Sequence, residues 1–185
     1  AYAPKRVIFT GSTSVYAQVD GARVTEGSPA LPDRGTGRIL LEAEQVALNA
    51  GGTVARLSGI YGPGRSVLLR KFMEGSAVLE SGGGRVINQI HRDDAARALL
   101  ALADSPAGIY NVSDNTPATQ REVYGWIAAH LGRPLPAEGP LDLGRKRGWT
   151  NKRVDNSKLR GIGWSPVFSS YSEALSTLVA GAHND

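Results

Sequence analysis

The order of three short segments constrains the fold of this chain more than any other feature. Residues 6–10 form a β-branched and aromatic run that ends at Gly11, a pattern that predicts a buried strand followed by a loop. Residues 36–50 carry apolar side chains at helical spacing and stop at a pair of glycines, and residues 54–57 are typical of a second strand. A strand, a helix and a strand in this order predict a parallel crossover unit, so the expected fold class is α/β.

The rest of the chain continues the alternation of helices and strands. Capping-box sequences predict that two helices begin just after Thr119 and Ser170. Residues 133–168 are rich in glycine, proline and basic residues and show little periodicity. The other predicted elements are helices over residues 66–74 and 95–103 and strands over residues 86–90 and 108–112.

The composition is that of a globular protein rather than of a disordered chain. Of 185 residues 41% are hydrophobic, and 21 basic residues stand against 17 acidic ones, for a formal charge of +4. The apolar runs, such as residues 98–103, are far shorter than the roughly 20 residues of a membrane helix, and we recognise no export signal. We therefore expect a soluble, cytoplasmic protein with no membrane partner. Without cysteine, and with His91, His130 and His183 far apart in sequence, no metal site is predicted.

Basic residues concentrate in one stretch, residues 145–160, around a single acid, Asp155. Nucleic-acid binding requires a larger basic face with aromatic residues among the charges, so we expect no nucleic-acid partner. Two interpretations stay open for this stretch: a solvated basic face, or an edge that binds the anionic group of a phosphorylated ligand.

The common catalytic motifs are absent from the sequence. No G-x-G-x-x-G follows a predicted strand, and the glycine run 82–84 precedes a strand where a phosphate-binding loop follows one. H-E-x-x-H and G-x-S-x-G are also missing. Composition and spacing alone therefore indicate a soluble α/β domain without a complete dinucleotide-binding half.

Six short motifs in a fixed order carry a resemblance to a known family. The chain resembles the second half of the extended short-chain dehydrogenases, the NAD-dependent epimerase/dehydratase family that acts on nucleotide sugars. The motifs are the run at residues 7–16, Thr25-Glu26 with Pro29, the run at 56–64, Ile90-His-Arg-Asp-Asp94, Tyr110-Asn-Val112 and Gly163-Trp-Ser-Pro166.

The resemblance implies part of a doubly wound, Rossmann-like parallel sheet with a small C-terminal α/β substrate lobe. It also implies that the first strands and the glycine-rich pyrophosphate loop are missing upstream. Residues 1–62 would form the second half of the dinucleotide-binding domain. Residues 86–112 would pack onto that domain or link the lobes, and residues 63–185 would form mainly the substrate lobe.

The family's catalytic residues are a Ser or Thr after the strand, a Tyr on the long helix and a Lys four residues later. Ser12 matches the first of these positions, whereas Thr36 stands at the Tyr position and Leu40 at the Lys position. A threonine hydroxyl has too high a pKa to replace a phenol, and leucine supplies no charge. The resemblance is therefore to atypical members of the superfamily, and we predict that Thr36 and Leu40 are catalytically inactive.

The same resemblance assigns the binding residues. It implies that NAD or NADP is held, together with the missing N-terminal half, at Thr10, Gly11, Leu57, Ser58 and Ile60, largely through backbone groups.

The expected substrate is a nucleotide sugar or a related small molecule. Gly59 stands where the family has a substrate-binding Asn, and Arg145 matches a pyrophosphate-binding arginine. His91 lies in a matching motif, and we expect it to be a structural histidine.

Some positions of this sequence match the family's motifs and others depart from them, which leaves two candidate functions. One is an NAD(P)-dependent epimerase/dehydratase-like enzyme, and the other is a non-catalytic dinucleotide-binding sensor or regulatory protein. The helix over residues 36–50 matches the family's dimer helix and carries Leu41 and Leu48 away from the predicted core-facing stripe, so we expect a homodimer built around it.

Overall fold

A computed structural model describes residues 6–141, 144 and 149–182, without the side chains of residues 181 and 182. Short 3-10 turns lie at Thr13–Val15 and Ser81–Gly83. In chain order the strands are β1 (Ile8–Ser12), β2 (Ala22–Val24), β3 (Thr53–Leu57), β4 (Gly59–Tyr61), β5 (Leu79–Glu80), β6 (Val86–Ile87), β7 (Gln89–His91), β8 (Gly108–Val112), β9 (Ala118–Thr119), β10 (Glu138–Gly139) and β11 (Lys152–Val154). The helices are α1 (Gly35–Asn49), α2 (Val67–Met73), α3 (Arg92–Ala103), α4 (Gln120–Leu131), α5 (Ser157–Arg160) and α6 (Tyr171–Ala182).

The central sheet is parallel and has the strand order β1-β3-β8. Ile8 pairs with Thr53, which in turn pairs with Gly108. The helix α1 connects β1 to β3, which confirms the predicted crossover and the α/β fold class. Among the described residues β1 pairs with β3 alone, so the other edge of β1 has no strand partner there.

Helix α1 turns a different face to the core from the one predicted. Its buried residues are Gly37, Glu44 and Ala47, whereas Ile39 and Val46 are 65% and 71% exposed. Leu40 and Leu41 pack instead against a small apolar cluster that includes Val15, Tyr16, Val24 and Val154. Leu41 and Leu48, which were expected to form a second apolar face, are both half-buried, and the dimer expected there stays a prediction. The helix is rotated so that the Glu44 carboxylate reaches an arginine of the central sheet.

A second apolar cluster lies among α2, α4 and α6, away from the three-stranded sheet. It contains Tyr61, Phe72, Tyr124, Ile127 and Leu178, all less than one tenth exposed. The division of the chain into lobes at residue 62 stays a prediction.

The glycine run 82–84 forms part of a turn between β5 and β6. Gly83 has a φ of 75°, and a Cβ there would lie 2.9 Å from Leu79 Cδ2 and 3.1 Å from the Arg121 backbone nitrogen. Gly83 therefore allows a close packing contact against the start of α4. In the described ranges, no helix combines the length and apolarity that crossing a bilayer requires.

Candidate active site

The carboxyl ends of β1 and β3 bring several of the predicted site residues to one edge of the sheet. In the parallel register Gly11 pairs with Arg56, and Ser12 pairs with Leu57. Ser58 follows directly, and its N–H donates to the Val112 carbonyl at 2.9 Å. Ligands of open α/β sheets bind outside the carboxyl ends of the strands, so this edge is the candidate site.

Ser12 occupies the turn that leaves β1. Its Oγ accepts a hydrogen bond from the Ser14 N–H at 3.2 Å and thereby caps the 3-10 turn Thr13–Val15. This bond uses an oxygen lone pair and leaves the hydroxyl hydrogen free to donate. The geometry is compatible with a hydroxyl that orients a substrate oxygen.

Ser58 carries an unsatisfied buried hydroxyl at the same edge. The residue is only 6% exposed, and its Oγ has no hydrogen-bond partner among the described residues. A buried polar atom left without a partner costs about 1–3 kcal/mol, so the position favours a polar group of a ligand or of another segment of the protein.

The other residues assigned to cofactor contacts differ in exposure. Thr10 is exposed, and Leu57 and Ile60 are half-buried. Gly11 is buried, and a Cβ there would lie 3.0 Å from Glu44 Oε1, so the glycine makes room for that carboxylate. Whether these residues contact a cofactor stays a prediction.

Thr36 and Leu40 lie one turn apart on α1. Thr36 is exposed, and Leu40 is half-buried in the apolar cluster beside Val15 and Tyr16. Neither side chain titrates near neutral pH, so this turn of α1 supplies no acid, base or cation from these two positions.

A buried ionic network behind this edge was missed by the sequence analysis. Arg56 Nε donates to Glu44 Oε1 at 3.0 Å, and Arg56 Nη2 donates to Glu44 Oε2 at 2.6 Å. The guanidinium carbon lies 4.9 Å from the centre of the Tyr16 ring, and the Tyr16 hydroxyl donates to Asn111 Oδ1 at 2.9 Å. Burial raises the pKa of Tyr16, so the phenol stays protonated. The network fixes α1, β3, β8 and the segment after the Thr13–Val15 turn relative to one another.

Lys152 is a second residue whose environment the sequence analysis missed. Its Nζ is buried and donates to the Tyr16 carbonyl and to Thr150 Oγ1, each at 2.9 Å. Burial, with a smaller contribution from Arg85, lowers the pKa of Lys152 to about 8. Part of the amine is therefore neutral in mildly alkaline solution, unlike an exposed lysine.

His91 is buried and has the environment of a structural histidine. Its Nδ1 accepts the Asp93 N–H at 3.3 Å, and its ring lies 5.4 Å from the Tyr61 ring and 4.3 Å from the Phe168 ring, measured between centroids. Burial lowers the pKa of His91, which favours the neutral ring.

The two predicted substrate positions have different outcomes. Gly59 is exposed on β4, and a Cβ there would lie 3.2 Å from the Asn88 carbonyl oxygen, so a larger side chain requires a small shift of that strand. Arg145 lies outside the described residues. No cluster of three or more potential metal ligands occurs in the described part of the chain.

Comparisons with known proteins give two groups of relatives. No protein-family profile matches the chain. It is 33% identical over 160 residues to Protein YeeZ of Escherichia coli strain K12, covering 83% of this chain and 55% of that protein. It is 30% identical over 164 residues to a 3-diazoavenalumate denitrifying reductase of Streptomyces sp, covering 78% of this chain and 54% of that protein.

Solved structures match over almost the whole chain. A functionally unknown conserved protein from Silicibacter pomeroyi DSS is 32% identical with a TM-score of 0.82, over 95% of this chain and 66% of that one. A protein assigned as an NAD-dependent epimerase/dehydratase from Methylobacillus flagellatus is 28% identical with a TM-score of 0.80, over 98% of this chain and 65% of that one. MoeE5, solved with UDP-glucose and NAD, is 24% identical with a TM-score of 0.80, over 97% and 65%, and shows the same fold.

These relatives define the class of protein. The chain has the Rossmann-like α/β fold of proteins of the NAD-dependent epimerase/dehydratase type. The resemblance that the six motifs carry, to a part of the extended short-chain dehydrogenases, is confirmed by neighbours of the epimerase/dehydratase type, of which the chain covers 65%. The chain spans about half the length of the curated relatives that it matches.

Proposed function

We propose that the full-length protein binds NAD or NADP with the nicotinamide half against the carboxyl ends of β1 and β3. The observation that carries this proposal is the buried, unpartnered Ser58 hydroxyl at that edge, beside the end of β1. Backbone groups of Thr10, Gly11, Leu57 and Ile60 would line the same cofactor face. A bound nicotinamide supplies hydride transfer, and the residues of this chain position it.

The substrate proposed for this site is a nucleotide sugar or a related small molecule. The neighbour MoeE5 was solved with UDP-glucose, which supports a substrate of this chemical class. Ser12 would orient the reacting oxygen of the substrate, and Arg145 would contact its anionic group. Gly59 would contribute space rather than a hydrogen bond, because it has no side chain.

The proton chemistry of the site is the part that we propose to be lost. Thr36 and Leu40 supply neither a phenol nor an ammonium group, so the protein either moves protons with other groups or does not catalyse the conventional reactions. The packing of Leu40 in an apolar cluster favours the second candidate, a non-catalytic sensor whose dinucleotide occupancy controls a partner.

Cofactor titration tests the binding proposal. The helix N-terminus and glycine-rich loop that hold a pyrophosphate are not supplied by the run at 82–84, which lies in the turn before β6. We therefore expect the chain 1–185 alone to show no saturable binding of NADH or NADPH at micromolar concentrations, whereas the full-length protein binds one of them. Fluorescence and calorimetric titrations of both proteins provide the measurement. Micromolar affinity in the isolated chain, or none in the full-length protein, contradicts the proposal.

A homodimer through α1 is proposed on the face that the structure exposes. Ile39 and Val46 are seven residues apart, or two helical turns, and their side chains are 65% and 71% exposed on one face of the helix. Replacing both by Asp is expected to convert the full-length dimer into a monomer in light scattering, because two charges then face the interface. Val167→Asp, at a residue that is also exposed but outside α1, is the control. A monomeric unaltered protein at tens of micromolar refutes the proposed interface.

A further inference from the structure

Three arginines surround a small pocket whose lining differs from the residues assigned to the cofactor edge. The pocket has a volume of about 250 Å³ and is lined by Arg23 of β2, Arg153 of β11 and Arg160 of α5, together with Ser157. We call it the arginine pocket. None of the described residues that line it is among those proposed to contact the cofactor.

Two of the guanidinium groups converge on a single hydroxyl. Nη2 of Arg23 and Nη2 of Arg160 both point to Ser157 Oγ, at 3.5 Å and 3.3 Å. Arg160 Nε donates to Asn156 Oδ1 at 3.0 Å, which holds this side chain in place. The two positive groups are therefore held toward a shared point beside an exposed hydroxyl.

The charge of the pocket is positive on balance. The buried carboxylate of Asp155 forms an ion pair with Arg23. Arg153 Nη1 donates to the Gly21 carbonyl at 3.1 Å. The positive charge of Arg153 also favours the ionised form of the exposed Glu122 carboxylate. Burial raises the pKa of Asp114, which lines the pocket, well above its ordinary value, and so disfavours the charged form of this carboxyl.

We propose that the arginine pocket binds a tetrahedral oxyanion, namely the phosphate group of a small phosphorylated ligand. Guanidinium groups present paired N–H donors that match phosphate oxygens, and the Ser157 hydroxyl can donate a further hydrogen bond. The volume of about 250 Å³ is below the roughly 300–1,000 Å³ of pockets for drug-sized ligands, so inorganic phosphate or a small phosphate monoester fits best.

Of the two interpretations of the basic stretch at residues 145–160, the proposal favours an edge that binds the anionic group of a phosphorylated ligand. The described basic residues of this stretch do not form one face. Lys152 is buried, and Lys158 Nζ lies 4.4 Å from the centre of the Tyr110 ring and donates to the Ile109 carbonyl at 2.7 Å. Of the four described basic residues in this stretch, only Arg153 and Arg160 line the pocket. Arg23 of β2 is the third arginine of its lining.

Phosphate titration of the full-length protein tests the site. Phosphate replaces chloride at constant ionic strength, and binding is followed by the thermal midpoint and by the ³¹P line width. We expect saturable binding that Arg160→Gln and Arg153→Gln each weaken about tenfold, because each removes a charge-assisted hydrogen bond. Arg133→Gln, at an exposed arginine in the turn after α4, is the matched control and is expected to leave binding unchanged.

Several outcomes overturn the proposal. They are the absence of saturation above the chloride baseline, equal phosphate affinity in all three variants, and displacement of phosphate by saturating NADH. The Arg153→Gln variant keeps the test valid if Arg160→Gln disturbs the fold through the lost contact with Asn156. Circular dichroism and the thermal midpoint without phosphate identify such a disturbance.

Discussion

Replacing Glu44 by Gln is expected to lower the free energy of unfolding by about 3–5 kcal/mol. Glu44 and Arg56 are 2% and 3% exposed, so the substitution leaves a buried guanidinium without its counter-charge. The three hydrogen bonds between Arg56 and Glu44, which hold α1 against β3, also weaken, because a neutral amide can accept but does not attract the cation. Urea unfolding followed by circular dichroism measures the loss.

Matched variants separate the buried ion pair from a general effect on α1. Glu42→Gln changes an exposed carboxylate on the same helix and is expected to cost less than about 0.5 kcal/mol. Replacing Glu44 by Leu together with Arg56 by Met removes both charges and is expected to recover most of the lost stability. If Glu44→Gln costs no more than Glu42→Gln, the pair does not stabilise the fold as described.

The double substitution Thr36→Tyr with Leu40→Lys in the full-length protein is expected to create turnover on a nucleotide sugar. The phenol supplies an acid/base group, and the ammonium one turn away lowers its pKa. General acid–base groups contribute about 10²–10⁴-fold, so the double variant is expected to exceed the background rate measured with the unaltered protein by about that factor. Product formation with added NAD measures it.

Arg38→Lys is the control for this gain of function. It adds a lysine to the same helix, about 200° around the axis from residue 40, where it cannot assist a phenol at position 36. Since Leu40→Lys places a charge beside the apolar cluster of Val15 and Tyr16, the thermal midpoint of each variant is compared first. A folded double variant that gains no activity refutes the assignment of the two positions.

The crossover of the central sheet could be predicted because its signals are local. The β-branched run at residues 6–10 and the glycine stop after residue 50 act within a few residues. The face of α1 could not be predicted in this way. Periodicity treats Glu44 as a surface residue, whereas its partner Arg56 lies on a strand that packs against the helix.

The candidate site was partly predictable for a related reason. Parallel register brings the ends of β1 and β3 together, so Ser12 and Ser58 share one edge whatever the details of packing. The burial of Lys152 and the arginine pocket depend on the pairing of β2 with β11, whose residues are about 130 positions apart. No local pattern in the sequence predicts that contact. A Lys or Arg at a core-facing position of a predicted strand is the signal that could have indicated it.

Turnover by the unaltered full-length protein is the most direct test of the central claim, that the fold of an NAD-dependent epimerase/dehydratase is kept here without its Tyr and Lys. The assay presents a panel of nucleotide sugars with NAD or NADP and includes Ser12→Ala as a control. We expect no conventional epimerase or dehydratase turnover, and no difference between the unaltered protein and Ser12→Ala. Robust turnover that Ser12→Ala abolishes would show that the site works without the dyad and would contradict this account.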